Sequence, residues 1–394
     1  MSVSTPASTT LASEKPPVYR DKPSTASGRV VSIDFMRGVI MFLLAAESTL
    51  LYERLYDVTG ETGFWAGLVE QFFHVPWEGL HFWDLVQPSF MLIAGTSLYF
   101  STQKRLARGE SFGDLWRHTL VRSLKLLACG VGLHCVYAGE LVWELWNVLS
   151  QLSVTLIVAF ALIRQSVRMQ LIVSFVLILL TDVLYRFFPL EGFNQPFVPD
   201  HSFGTWMDLV LMGKINDGHW IAINFLPTAA HTIWGVVAGK WLASDRAANE
   251  KIKLLLIAAA VGLVLGYALD WTGVSPIIKR ICTAGFVLAS GGWVFALMAF
   301  CYALIDVRKG EGASETNWIR FFIIVGMNPI FIYLLFETLG HQWLNQTVGI
   351  FTNGLTGFLG FPEPLQWIVT SLATLMVLWY ICYWLYQKRI FIKL

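Results

Sequence analysis

Charge is what this sequence has least of. Asp, Glu, Lys and Arg make up only 14% of its 394 residues, whereas 55% are hydrophobic, and the mean hydropathy is +0.58. That excludes an ordinary soluble domain and points to a polytopic membrane protein. A net charge of +1 gives no reason to expect a nucleic-acid partner. Cysteine is also scarce: the five (Cys129, Cys135, Cys282, Cys301, Cys382) contain no CxxC pair, which indicates neither a disulfide framework nor a zinc site, and no metal is expected. P-loop, dinucleotide-binding, HExxH and GxSxG motifs are all missing, so the soluble catalytic signatures have nothing to say. Residues 1–28 lack an apolar run and are rich in Ser, Thr, Pro and Lys. They read as a disordered cytoplasmic tail rather than a signal peptide, with 29–394 as one transmembrane domain.

What is present is a series of apolar runs. A span needs about 20 mainly apolar residues. Candidates fall near 35–53, 82–101, 117–138, 145–163, 169–188, 221–242, 253–271, 285–306, 320–337 and 365–386. The expected fold is an all-α bundle of about ten transmembrane helices in a lipid bilayer. Segment 345–361 is short and carries four glycines, which suits an interfacial or re-entrant piece. With both termini cytoplasmic, all but Arg54, Arg186, Lys214, Lys279 and Arg280 of the 28 Lys and Arg fall inside, and 338–364 holds none. That alternation follows the positive-inside rule and supports the count.

Two outer loops are long. The first contains the run QFFHVPWEGLHFWDLVQPSF, in which Pro76 and Gly79 interrupt any helix and leave His74 on irregular backbone at a membrane surface. Titratable groups are costly there without a role, so His74 is the candidate reactive centre. The second, 189–220, is aromatic and non-repetitive with three prolines, as a functional cap over the site would be. The pairs GVVAG (235–239) and GLVLG (262–266) read as close helix packing, and leave a homodimer open.

Polar residues within the runs form a small set. Asp34 and Arg37 share a helix face at the cytoplasmic mouth of the first span, as an end-fixing ion pair or as a gate or ligand contact. Glu47, near the outer end of that span beside Ser48, is placed to orient His74 or an acceptor, or else is a protonated structural group. Asp84 either caps the next helix or fixes the tautomer of His74 or His81. His231 follows Pro227 within a span and reads as bonded to a neighbouring helix, with a pocket role as the alternative. Asn328 precedes a helix-breaking proline, a place where cavities are lined. Lys279 and Arg280 suit an anionic sugar or phosphate, or interface snorkelling. Arg122, with Arg117 and Lys125, satisfies the inside rule and is also placed to meet cofactor phosphates.

Five stretches in order, RVVSIDFMRG, HVPWEGLHFWDLVQPSFMLIAGTS, PIIKRICTAGFVLASGGW, VGMNPIFIY and YWLYQKRIFIKL, resemble the heparan-α-glucosaminide N-acetyltransferase family and its bacterial homologues. The likeness runs from Arg29 to Leu394 and does not include the N-terminal lumenal domain and first span of the lysosomal member. It implies a transmembrane acyltransferase of a bacterial inner membrane that takes acetyl from cytoplasmic acetyl-CoA, as co-substrate, to an amine or hydroxyl of an outer sugar or glycan. His74 matches the family's catalytic histidine, and Lys279 and Asn328 fall on matching positions. Catalysis is thus expected from His74, Glu47 and Asp84, and donor binding from Asp34, Arg37, Lys279, Asn328, His231 and Arg122. Two positions depart from the pattern: Ser48 replaces an asparagine, and Gln151 replaces an arginine, which puts the roles of both in doubt. The residues by themselves also suit a ten-helix secondary transporter with Glu47, Asp34 and His231 as coupling groups. An unperturbed histidine titrates near ~6.5, suited to general-base work or to accepting the acetyl group itself.

Overall fold

A computed structural model describes residues 30–308 and 316–392, so the expected tail at 1–28 lies outside the described residues. The chain is all-helical there, apart from one isolated antiparallel bridge between Glu78 and Ile278. In order the helices are α1 (Val31–Ser48), α2 (Leu51–Thr59), α3 (Phe64–Glu70), α4 (Val86–Ala107), α5 (Phe112–Ala138), α6 (Val148–Ala161), α7 (Val167–Phe187) and α8 (Phe203–Met212). Then follow α9 (Phe225–Ala243), α10 (Ala248–Trp271), α11 (Ala284–Cys301), α12 (Asn317–Gly326), α13 (Pro329–Leu335), α14 (Asn345–Phe358) and α15 (Glu363–Gln387). π-helical turns extend α11 over Tyr302–Val307 and join α13 to α14 over Phe336–Leu344.

Five elements are long and apolar enough to cross a membrane by themselves: α5, α7, α10, α11 with its π-turn, and α15. Two bent pairs, α1–α2 at 66° and α12–α13 at 74°, bring the number to seven. The other three of the ten expected stretches are α4, α6 and α9. The 14-residue α6 rises about 21 Å, short of the roughly 30 Å of a hydrocarbon core. Most of α9 is buried among its neighbours, and such a helix needs no lipid-facing apolar surface. α4 carries Gln87, Ser89, Thr96 and Ser97 along its length and has Lys104 and Arg105 in its last turn. Segment 345–361, expected to be interfacial, is α14, which pairs with the start of α15.

Small residues set the central contacts. A Cβ at Gly95 of α4 would fall 2.0 Å from Thr232 O of α9, and one at Gly235 of α9 2.0 Å from Leu92 O of α4. Only glycine lets the two backbones meet there. Thr96 Oγ1 then donates across the contact to Gly235 O at 2.9 Å. Gly262 and Gly266 of α10 seat against Gly292 and Ala289 of α11 in the same way. Both GxxxG pairs are therefore used within the chain, in the close helix packing that their spacing suggested. At the basic end of the bundle, Asp306 accepts from the first amides of α1, Val31 N at 2.8 Å and Ser32 N at 3.1 Å. This ties the α11 extension to the start of the chain's described part.

At the opposite end four loops knit into one layer. The His74 loop joins the loop before α11 through Gly79 N donating to Ile277 O at 2.8 Å. It joins the 188–202 loop through Trp77 Nε1 donating to Phe197 O at 2.8 Å. The 213–221 loop closes the ring, with Ile221 N donating to Arg280 O at 3.3 Å and Arg280 to Gly218 O. The long aromatic loop expected as a cap does lie against the His74 loop.

Candidate active site

His74 sits where Pro76 and Gly79 (φ +124°) prevent helix, between α3 and a 3-10 turn at Phe82–Leu85 that carries Asp84. Ten residues along the chain, Asp84 turns back onto it: His74 Nδ1 lies 2.8 Å from Asp84 Oδ1. The second carboxylate oxygen accepts from His81 N at 2.9 Å and Val75 N at 3.4 Å, so the loop's own backbone fixes the carboxylate. Asp84 is 1% exposed and His74 33%. His81 is engaged elsewhere, its Nδ1 donating to Phe73 O at 3.0 Å. Of the two histidines considered for Asp84, the side-chain bond goes to His74.

A carboxylate can only accept, so Nδ1 carries the imidazole proton in the neutral ring. Nε2 is then the free lone pair, the arrangement an aspartate gives a general base or a nucleophile. Trp220 walls one side, its ring edge-on to the imidazole at 5.3 Å. Burial, with the neighbouring Lys279 and Arg280 cations, pushes the His74 pKa down to about 4 against the pull of Asp84, and the ring is neutral at pH 7.

Lys279 comes from the loop before α11. Its Nζ lies 3.0 Å from His74 Nδ1 and 3.5 Å from Asp84 Oδ1, with the side chain 8% exposed. A cation so engaged and so buried is not offered to an anionic sugar or phosphate, one of the roles its position suggested. Arg280 stacks over Trp220 at 5.1 Å and donates to Gly218 O, which holds the 213–221 loop down. Glu47 does not hydrogen-bond His74; its Oε1 accepts from Trp83 Nε1 at 3.0 Å, the residue next to Asp84. It therefore braces the turn that carries the aspartate. Ser48 donates to Ala45 O at 2.8 Å within its own helix, and Gln151 pairs with Gln87.

The remaining donor-binding candidates lie apart from His74. Asp34 and Arg37 form the expected i,i+3 pair at 3.2 Å, and Arg37 also donates to Ser97 Oγ at 2.6 Å. Arg122 of α5 lies close enough to Arg37 for the two like charges to act on each other. His231 is fully buried, with Nε2 donating to Val287 O of α11 at 2.9 Å, an interhelical bond. Both ends of the Asn328 amide are used by the chain's last described residues: Nδ2 donates to Ile390 O at 3.0 Å and Oδ1 accepts from Ile392 N at 2.7 Å. Asn328 thus anchors the C-terminal segment at the α12–α13 break.

Trp220, Trp83 and a second cluster escaped the sequence reading. In that cluster His134 Nδ1 and Lys214 Nζ each lie 2.5 Å from a different oxygen of Glu144. The signal for Trp220 was its place in the aromatic loop, and for Trp83 its place in the His74 run; nothing marked the His134–Glu144–Lys214 cluster.

A family model described as the catalytic part of heparan-alpha-glucosaminide N-acetyltransferase matches residues 29–266. That segment holds His74, Asp84, Glu47, Arg37 and Arg122, and stops short of Lys279 and Asn328. The human heparan-alpha-glucosaminide N-acetyltransferase is 23% identical over 443 aligned positions, covering 93% of this chain. The chain spans 60% of that relative's length.

Proposed function

The chain belongs to the heparan-alpha-glucosaminide N-acetyltransferase catalytic family, and from that premise we propose a membrane enzyme that carries acetyl from cytoplasmic acetyl-CoA to a sugar on the outer face. The acceptor atom is an amine nitrogen or a hydroxyl oxygen. The observation that carries the proposal is the His74–Asp84 pair, held at 2.8 Å by a rigid loop with Nε2 free. As the acceptor nitrogen or oxygen bonds to the acetyl carbon, its proton moves to Nε2. The C–S bond breaks, and the departing thiolate draws that proton back. Asp84 fixes the ring tautomer and steadies the imidazolium in between. We assign the donor's phosphates to Arg37 and Arg122, whose like charges act on each other.

The transporter alternative would use Glu47, Asp34 and His231 as coupling groups. Asp34 is paired with Arg37, Glu47 braces Trp83 and His231 is spent on Val287, which favours the enzyme. Purified protein in detergent, given acetyl-CoA and glucosamine, should release free CoA thiol and form N-acetylglucosamine. A transporter would need sealed vesicles and would leave the thioester intact. If labelled acetyl instead accumulates on the protein when acceptor is withheld, Nε2 is the first acceptor of the group.

A further inference from the structure

Lys279 is the unusual member of this site. Its Nζ is 3.0 Å from His74 Nδ1, the atom that already faces Asp84 Oδ1 at 2.8 Å. Nδ1 cannot donate to the carboxylate and accept from the ammonium at once. The carboxylate decides the matter, because a bare Nδ1 at 2.8 Å from it would set two lone pairs against each other. The ammonium is then left beside an N–H, with Asp84 Oδ1 at 3.5 Å as its counter-charge.

The chain goes to some length to keep it there. Thr283 Oγ1 donates to Pro276 O at 2.6 Å and accepts from Ile278 N at 3.1 Å, closing the loop around Lys279. Cys282 takes a left-handed φ of +49° and donates its amide to Lys279 O at 3.0 Å. The same loop is bonded to the His74 loop through Gly79 and Ile277. Trp220 lies over the ammonium at 5.4 Å as well as edge-on to the imidazole at 5.3 Å.

We propose that Lys279 is a positioning residue for acetyl transfer: its fixed positive charge bars a second proton from His74 and so keeps Nε2 open. This rests on the acetyltransferase reading, but its first test does not. The charged groups acting on Lys279 and His74 are Asp84, Glu47 and Arg280, with the Cys282 thiol. Asp84 is the strongest attraction on either, and Lys279 is the nearest repulsion on the ring. The direction already noted for His74, down to about 4, has Lys279 as its largest charge contribution after burial. In the reaction, an imidazolium formed 3.0 Å from that ammonium would lose its proton readily, which speeds return of the proton to the leaving thiolate.

The test is site-resolved. Full-length protein in detergent is treated with diethylpyrocarbonate, which modifies neutral imidazole, from pH 4 to 8, and peptide mass spectrometry reads His74 with His134 as the internal reference. Wild type, Lys279→Met and Lys279→Arg are compared, and CoA release with glucosamine is followed over the same range. The expected result is a His74 midpoint that moves up by about one unit or more in Lys279→Met and stays near wild type in Lys279→Arg. The acid limb of CoA release should move with it, and the extent of His134 modification should be the same in all three proteins. An unchanged His74 midpoint in a Lys279→Met protein whose His134 behaves normally overturns the proposal. So does a shifted midpoint with an unshifted rate profile. If Lys279→Met does not fold, loss of the depressed midpoint in Lys279→Gln is required instead, and its retention overturns the proposal equally. Absence of any CoA release from wild type would sink the acetyltransferase reading while the modification profile still decides whether the charge governs the ring.

Discussion

The loop end of the bundle holds two histidine–carboxylate–lysine clusters built from the same chemistry, and they are not alike. At His134, Glu144 gives one oxygen to the imidazole and the other to Lys214, each at 2.5 Å. Each donor has its own acceptor, and Lys214 is 39% exposed, so water shares its charge. This clasp ties the α5–α6 connection to the loop after α8. At His74, one oxygen of Asp84 serves both donors while backbone amides occupy the other. The lysine is buried and presses on the ring nitrogen itself. A satisfied cluster fastens two loops; an overcrowded one raises the energy of one protonation state. The second kind of arrangement suits catalysis, because it works on a proton.

That contrast breaks most easily at the imidazoles. Replacing His74 with Ala should cut CoA release by about 10²–10⁴-fold, the range typical of a lost acid–base group, with the protein still monodisperse on size-exclusion chromatography. Full turnover in this variant removes His74 from the chemistry. Asp84→Asn comes next, at about 10²-fold, because an amide in place of the carboxylate no longer dictates which ring nitrogen keeps the proton. If Asp84→Asn behaves like wild type, the pair is a fastening like the other. The pH profile follows. With the His74 pKa near 4, turnover by a neutral imidazole should hold on the acid side to about pH 5 and fall as pH drops through 4. An acid limb centred near ~6.5 would mean the ring is unperturbed. The sign for stability is the same. The unfolded chain takes up a proton on His74 at higher pH than the folded one, so this group's share of stability declines as pH falls from about 6.5 towards 4. The smallest effect on turnover belongs to the clasp. Glu144→Gln should leave CoA release within about twofold while lowering thermal stability by about 1 kcal/mol. A large loss of activity there would join the two clusters functionally.

How much of this could be read beforehand follows from sequence separation. His74 was marked by Pro76, Gly79 and its place against an apolar run, all local features. Asp84 was within reach because ten residues and one turn separate the pair. Yet His134 and Glu144 are also ten apart, so spacing could not tell the reactive pair from the fastening. Glu47 was expected to orient His74 or an acceptor, or to be a structural group; its carboxylate accepts from the indole of Trp83, the residue before Asp84. Asn328 was expected beside a cavity at a proline break, and the break is real at 74°. Its amide is instead spoken for by residues 62 and 64 positions further on. Of the ten expected spans, five to seven are long and apolar enough to cross a membrane by length and composition.

What the chain determined by itself is its class and its candidate reactive spot: apolar runs that water cannot accommodate, and one imidazole that irregular backbone leaves at their edge. Those are properties of composition and of a few consecutive residues. Only the tertiary structure decided that Lys279, 205 residues away, would sit 3.0 Å from that ring, and that Lys214 would not touch His134. A charge acts over a few ångströms whatever the length of chain between, and the fold alone sets which groups come that close.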